Sequence, residues 1–415
     1  MGNRSSSYLA RLSACLIILC LFPCAFTQSN EKPKLKDFGS SLKRIKWDPD
    51  KKAAVEIKAN ADSKTASDDL DVVRVETSLV TSDVLVLDTH GNPVSGLTGK
   101  DFLVTEDGTP QPVGMFSLGD NANVPRSIVL IMDYSGSLLP YIDMSVEAAK
   151  TLVDQLGPRD RMAVVTDDVK LLADFTKDKQ ELKSKLESLK KKSKDKDARG
   201  GWFHGHSLQF SALMATLREM FDYEDQRPVI IFQTDGDELR LLQPPDSALK
   251  NIARSFSIND VYKTVEKSGV TIYTVIPGLK LLGLSETEQN ERMRRGSEQR
   301  LATLTGRPRQ LPESLRERLS EIVAEQRRII VAQQSALALV STISGGWASF
   351  LEDPSQANEI YSRIFSDINR RYIVGYYPTN KEHDGKRRKV AISVRDHPDY
   401  IVMGRKAYYA PGPDQ

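Results

Sequence analysis

Three patterns of apolar and polar positions divide the chain. Residues 72–118 alternate apolar and polar side chains over long runs, as in VVRVETSLVTSDVLVLD, which predicts half-buried β-strands. From residue 126 onward, continuous apolar runs such as SIVLIMD alternate with amphipathic helical patterns such as MSVEAAKTLVDQL. Apolar strands that alternate with helices are typical of a mostly parallel sheet covered on both faces. Three further strand-like runs occupy residues 371–410.

We therefore predict an α/β protein with a Rossmann-like, doubly wound, mostly parallel sheet and an accessory part similar to a β-sandwich. The predicted divisions are a signal peptide at 1–27, a flexible linker at 28–71, an Ig-like β-rich part at 72–120, an α/β domain at 125–350 with a helical insertion at 278–334, and a C-terminal helix with β-strands at 351–411. The two β-rich parts are expected to form one sandwich that the α/β domain interrupts. Gly345 and Gly346 are predicted to end a long helix over 313–344.

The N-terminal segment has the features of a secretory signal. Arg4 and Arg11 precede an apolar run, Leu12–Phe26, that is shorter than a membrane span. All 3 cysteines of the chain lie in this segment, so the mature fold is expected to contain no disulfide. The predicted location is periplasmic or secreted, with no membrane span after cleavage. Lipid anchoring at Cys24 is the alternative, although Pro23 is a poor fit to such a site.

Composition excludes several classes of function. The chain carries 58 Lys and Arg against 56 Asp and Glu, a formal net charge of +2, so no global field favours nucleic acid. Three cysteines rule out a disulfide scaffold or an all-cysteine zinc ribbon. No phosphate-binding loop and no G-x-S-x-G nucleophile motif occurs, so we expect no enzyme activity.

Candidate chemistry lies at the predicted carboxyl ends of the strands. The segment Asp133-Tyr134-Ser135-Gly136-Ser137 is a D-x-S-x-S pattern that follows an apolar strand, where ligands bind in open α/β sheets. Ser207 precedes a helix, and Asp235 follows the buried strand PVIIFQT. Two carboxylates and three hydroxyls suit a hard cation such as Mg²⁺, with Mn²⁺ or Ca²⁺ as alternatives. Alternatively, these groups only cap helix and loop ends.

These residues resemble the metal-ion-dependent adhesion site of von Willebrand factor type A domains. The resemblance assigns Asp133, Ser135 and Ser137 to the first metal-binding loop, Ser207 to a position usually held by threonine, and Asp235 to the last carboxylate. The flanking motifs are similar to those of a bacterial, Acidobacteria-type subgroup of exported proteins; they are VLDTHGNPVSGLTGKDFLVTEDG (86–108), RSIVLIMD (126–133), ADFT (173–176) and RRYIVGYYP (370–378). The resemblance implies a Rossmann-like fold that binds a divalent metal and protein ligands, generally without catalysis.

The expected function is metal-dependent protein binding or adhesion outside the cytoplasm. The cation would be completed by an exposed carboxylate of a protein partner that the sequence does not identify. The alternative is a non-catalytic scaffold subunit of a cell-envelope complex that docks through the long helix. The acidic residues Asp237 and Glu238, next to Asp235, are expected to face solvent.

Overall fold

The structure is a computed structural model that describes residues 45–48, 53–56, 79–118, 125–198, 207–221, 227–238, 256–305 and 313–413. The predicted signal peptide, with Cys24, lies outside these ranges. Within them, no helix combines the length and the apolar character needed to cross a bilayer. Two short strands, Ile45–Asp48 (β1) and Ala53–Glu56 (β2), pair antiparallel inside the segment predicted to be a linker, which contains the strand-forming residues Trp47 and Val55.

The remaining elements have the following bounds. The strands are β3 Val80–Leu87, β4 Phe102–Glu106, β5 Thr109–Gln111, β6 Val113–Leu118, β7 Arg126–Met132, β8 Arg161–Thr166, β9 Lys170–Thr176, β10 Arg227–Gln233, β11 Thr271–Pro277, β12 Ala348–Leu351, β13 Tyr372–Tyr376, β14 Arg387–Val394, β15 Ile401–Met403 and β16 Ala407–Tyr409. The helices are α1 Ile142–Asp154, α2 Lys179–Ala198, α3 Gln209–Glu219, α4 Ile258–Ser268, α5 Glu286–Thr305, α6 Glu313–Ser344 and α7 Gln356–Asn369.

The central sheet is doubly wound, as predicted. Its six strands follow the order β12-β11-β10-β7-β8-β9, and only the β8–β9 pair is antiparallel. Side chains alternate across the sheet. Leu130 and Met132 of β7 pack with α1, α2 and α7 on one face, whereas Val129 and Ile131 pack with α3, α4 and α6 on the other. Burial on both faces explains why these strands are continuous apolar runs.

Two antiparallel sheets form the accessory β-sandwich. One has the order β15-β3-β13-β6, and the other has the order β16-β14-β4-β5. Strand β13 pairs with β3 and β6, and β14 pairs with β4, so the strands before and after the α/β part share both sheets. Apolar side chains from both sheets form one core, which includes Phe102, Tyr372 and Val390. The pairing expected between the two β-rich parts is therefore present.

Helix α7 packs with the α/β part rather than with the C-terminal strands. The sequence division placed it in 351–411, but Tyr361 and Ile364 lie in the core beneath the central sheet, together with α1. Its amphipathic pattern shows that it needs an apolar surface but does not show which one. Likewise, the predicted insertion 278–334 ends inside α6, which runs on to Ser344 and buries Leu337 and Val340 against the sheet.

Buried polar groups join the sandwich to the α/β part. Arg371 has 1% of its surface exposed, and it donates to the Tyr273 hydroxyl at 2.9 Å and to the carbonyl oxygens of Gly345 at 2.6 Å and Asp83 at 3.1 Å. Arg227, at the start of β10, donates to Asp83 Oδ1 at 2.8 Å. Strand β3 is thus joined to the α/β part by Arg227 of β10 and by Arg371, which directly precedes β13.

The sandwich also contains a buried ion pair. Glu106 and Arg388 are each 3% exposed, and Arg388 Nη1 lies 3.3 Å from Glu106 Oε1. The Glu106 carboxylate also accepts the hydroxyl protons of Tyr376 at 2.9 Å and Tyr408 at 2.7 Å. These donors compensate for the removal of the charge from water.

Candidate metal centre

The loop after β7 brings the first three predicted ligands together. Asp133 is 1% exposed, and its backbone N–H donates to the carbonyl of Gln233 in β10 at 3.0 Å. The backbone N–H of Ser135 donates to Asp133 Oδ1 at 2.8 Å, which folds the loop back over the carboxylate. Ser135 Oγ and Ser137 Oγ are 3.0 Å apart, in a hydrogen bond. The three side chains of the D-x-S-x-S pattern therefore lie on one side of the turn.

The loop after β10 brings Asp235 to the same place. The Thr234 hydroxyl donates to Asp133 Oδ2 at 2.7 Å, which ties the two strand ends together. The Ser137 side chain forms a hydrogen bond with the Asp235 carboxylate, so the last predicted ligand lies next to the first metal-binding loop. Gly236 has φ +79°, and a side chain there would be strained as well as crowded against Leu337.

Ser207 reaches the site through a carboxylate that the sequence analysis missed. Ser207 is 5% exposed, lies two residues before the first residue of α3, and donates from its hydroxyl to Asp167 Oδ2 at 3.1 Å. Asp167 follows β8, the neighbour of β7, and its Oδ1 accepts the backbone N–H of Tyr134 at 3.2 Å. The signal was available, because Asp167 follows the apolar run RMAVVT just as Asp133 follows RSIVLIM.

Negative charge accumulates at this edge of the sheet. Burial raises the pKa of Asp133 well above its usual value, and the charges of Asp167 and Asp235 raise it further. Burial and the charge of Asp237 raise the pKa of Asp235 to about 6. Among the described residues, no Lys, Arg or His side chain forms an ion pair with Asp133. A bound cation would relieve this repulsion.

The donor set fits a hard cation. The candidate ligands are carboxylate and hydroxyl oxygens, which Mg²⁺, Mn²⁺ and Ca²⁺ accept, and they include no nitrogen or sulfur for zinc. Within the described ranges, no three Asp, Glu, His or Cys side chains converge as a metal-binding group. A cation held here would therefore depend on the serine hydroxyls as well as on Asp133 and Asp235.

Asp237 and Glu238 are buried, contrary to the expectation that they face solvent. They are 7% and 4% exposed. The Glu238 carboxylate accepts the backbone N–H groups of Phe210 at 2.7 Å and Ser211 at 3.3 Å, which caps the N-terminus of α3 from a distant loop. Asp237 Oδ1 accepts a hydrogen bond from Gln333 of α6 at 3.3 Å. Both acids therefore support the loop that carries Asp235.

A described family model matches the part of the chain that carries this site. Residues 128–238 match the family model described as von Willebrand factor type A domain, and this range contains Asp133, Ser135, Ser137, Ser207 and Asp235. Such a domain fits a protein-binding module. No curated protein matches the chain.

Several solved structures are similar to the chain. An aerotolerance-related membrane protein from Bacteroides fragilis is 14% identical, with a TM-score of 0.36 and coverage of 59% of this chain and 98% of that chain. A von Willebrand factor type A protein from Catenulispora acidiphila is 11% identical, with a TM-score of 0.33 and coverage of 82% and 76%. Proximal thread matrix protein 1 of the mussel byssus, with a zinc-occupied MIDAS motif, is 13% identical, with a TM-score of 0.35 and coverage of 59% and 48%. This chain spans about half of the mussel protein. At these identities and TM-scores, none of the three says what this chain binds.

Proposed function

We propose that this chain is an exported, metal-dependent protein-binding module of the von Willebrand factor type A kind, from the Acidobacteria-type subgroup. One observation carries the proposal. The ends of β7 and β10 and the start of α3 bring Asp133, Asp235 and Ser207 to one edge of the sheet. Such a grouping of mutually repelling carboxylates, one buried and one half-buried, with hydroxyls is unfavourable without a cation and favourable with one.

The proposed ligands are Asp133, Ser135, Ser137, Ser207 and Asp235, and the proposed cation is Mg²⁺, with Mn²⁺ or Ca²⁺ as alternatives. When bound, the ion supplies a positive centre that attracts an anionic oxygen of a partner protein. Asp133 and Asp235 would balance its charge, while the serine hydroxyls would add oxygen ligands without further charge. Five protein oxygens leave one of six positions for an outside ligand. We propose that a partner carboxylate fills it, in the periplasm or outside the cell, and that the chain binds without catalysing a reaction.

The first experiment measures the stability of the purified chain by thermal denaturation, with MgCl₂ or with chelator. Magnesium at one hundred times its dissociation constant should add about 2.7 kcal/mol to the free energy of unfolding. The isosteric substitution Asp133→Asn removes one charge and should abolish this response. It should not destabilise the metal-free protein through lost charge, because burial already disfavours the Asp133 carboxylate.

The matched control is Asp168→Asn, which makes the same change in charge nearby. The hydrogen-bond donors to the Asp168 carboxylate include none of the proposed ligands; they are the Tyr134 hydroxyl at 2.9 Å, the Thr166 hydroxyl at 2.5 Å and Lys170 at 2.7 Å. This variant should keep the magnesium response. If Asp133→Asn responds to magnesium as strongly as the unmodified chain, the metal assignment is wrong.

The second experiment addresses the partner. Capture from an envelope extract with magnesium, with chelator, and with Asp133→Asn as bait should retain the same protein only in the first case. Blocking that protein's carboxyl groups should then prevent capture. Retention that is equal in all three cases would refute metal-dependent binding and favour docking through α6.

A further inference from the structure

Asp167 lies at a junction between two loops of the proposed metal site. It is 1% exposed, and both of its carboxylate oxygens accept hydrogen bonds. Oδ1 accepts the backbone N–H of Tyr134, between Asp133 and Ser135, at 3.2 Å. Oδ2 accepts the hydroxyl proton of Ser207 at 3.1 Å, and the carbonyl of Asp167 accepts the N–H of Leu208 at 3.1 Å. One residue thus holds both segments.

The hydrogen bond to Ser207 has a chemical consequence. A serine hydroxyl that binds a cation offers an oxygen lone pair, so its proton must point to an acceptor elsewhere. Asp167 is that acceptor. In the orientation that satisfies its amide, Gln209 donates to Ser207 Oγ at 2.6 Å. With its proton on Asp167 and one lone pair on Gln209, Ser207 has a single lone pair left for a cation.

We propose that Asp167 is a positioning residue of the metal site, which aims the Ser207 oxygen at the cation and strengthens cation binding with a negative charge beside Asp133 and Asp235. The inference rests on the proposed function. The contacts indicate a positioning role, because Oδ2 accepts the hydroxyl proton of Ser207, a proposed ligand, and Oδ1 accepts the N–H of Tyr134 in the first metal-binding loop.

The charge contribution follows from the neighbours of Asp167. Its negative charge contributes to raising the pKa of both Asp133 and Asp235, so the three carboxylates interact across the site. A divalent cation placed among them gains attraction from Asp167 even without direct contact, because buried charges are poorly screened by salt. Replacement of Asp167 by the isosteric Asn removes this attraction and turns a strong proton acceptor into a weaker, neutral one.

The test is isothermal titration of the purified chain with MgCl₂. Asp167→Asn should raise the magnesium dissociation constant at least about tenfold, the effect expected from losing one charge-assisted contact. Asp168→Asn is the control and should stay within about threefold of the unmodified chain. Urea denaturation in chelator checks that both variants are folded before titration. If folded Asp167→Asn binds magnesium within threefold of the unmodified chain, Asp167 is not a positioning residue.

A double-mutant cycle separates positioning from charge alone. If Asp167 acts through Ser207, Asp167→Asn should weaken magnesium binding much less in a Ser207→Ala background than in the unmodified chain. An equal loss in both backgrounds would overturn the positioning role. The parent proposal fails in a different way. In that case the unmodified chain itself shows no magnesium binding, or Asp133→Asn binds magnesium as the unmodified chain does.

Discussion

Gly346 offers a sharp test of how the long helix α6 meets the central sheet. The helix ends at Ser344, and Gly345, with φ +86°, reverses the chain. The N–H of Gly346 donates to Ser341 O at 2.9 Å and that of Gly345 donates to Thr342 O at 3.2 Å, the two bonds of a Schellman motif. A Cβ at Gly346 would lie 2.0 Å from the carbonyl oxygen of Ile272 in β11.

The magnitude follows from that distance. Real Cβ atoms essentially never come within 3.0 Å of another heavy atom, so Gly346→Ala requires a shift of about 1 Å. Neither side can move cheaply, because Ile272 is fully buried between β10 and β12 and its N–H donates to Ser344 Oγ at 2.9 Å. We expect a loss of at least about 3 kcal/mol in the free energy of unfolding, which is large for one methyl group.

The matched control is Gly296→Ala in helix α5. No atom lies within 4 Å of the Cβ that this substitution adds, so only helix propensity changes, and stability should rise by about 0.5 to 1 kcal/mol. Urea denaturation in the presence of chelator measures both variants, and midpoints and slopes are compared with those of the unmodified chain. A Gly346→Ala protein within about 1 kcal/mol of the unmodified chain would refute the close packing of the helix end on β11.

Two further substitutions test buried and exposed polar contacts by the same urea denaturation. Glu106→Ala should cost about 3 to 5 kcal/mol, because it leaves buried Arg388 with only the Asp384 carboxylate at 3.4 Å and removes the acceptor of the Tyr376 and Tyr408 hydroxyls. Glu106→Gln keeps an oxygen acceptor and should cost less; equal losses would argue against an ion pair. Ser257→Ala should cost about 1 kcal/mol, because Ser257 caps α4 by accepting the N–H of Asp260 at 3.2 Å in a capping box; an unchanged stability would mean that solvent replaces the cap.

The central sheet could be predicted because strands that are buried on both faces need apolar residues at nearly every position. Strands such as RSIVLIM and TIYTVIP are apolar at nearly every position, and helical patterns separate them. The end of α6 at Gly345 and Gly346 could also be predicted, because Gly345 has φ +86° and few residues other than glycine adopt such a value easily. The surface against which an amphipathic helix packs is harder to predict from sequence. Helix α7 has an apolar face that would suit either the sandwich or the central sheet, and only the fold shows that Tyr361 lies beneath the sheet.

Acidic residues near the site show a related limit. Asp237 and Glu238 follow a predicted ligand, and a run of charges usually indicates solvent exposure. Burial of Glu238 depends on the N-terminus of α3, which donates two backbone N–H groups to it. That helix begins 29 positions earlier in the chain, at Gln209. No local sequence pattern therefore predicts the contact between Glu238 and the helix. Asp167 differs, because its place after an apolar strand is the same signal that identified Asp133.

The carboxylates around the proposed ligands change what the proposed partner must look like. With only Asp133 and Asp235, a divalent cation would leave the site neutral, and a partner carboxylate would meet little repulsion. Asp167 lies close to both and Asp237 lies close to Asp235, so the loaded site would be net negative before any partner arrives. Electrostatic repulsion would weaken the binding of an acidic side chain there, unless the partner protein also places positive charge nearby. We therefore expect a partner whose exposed carboxylate is flanked by Lys or Arg, rather than a uniformly acidic surface.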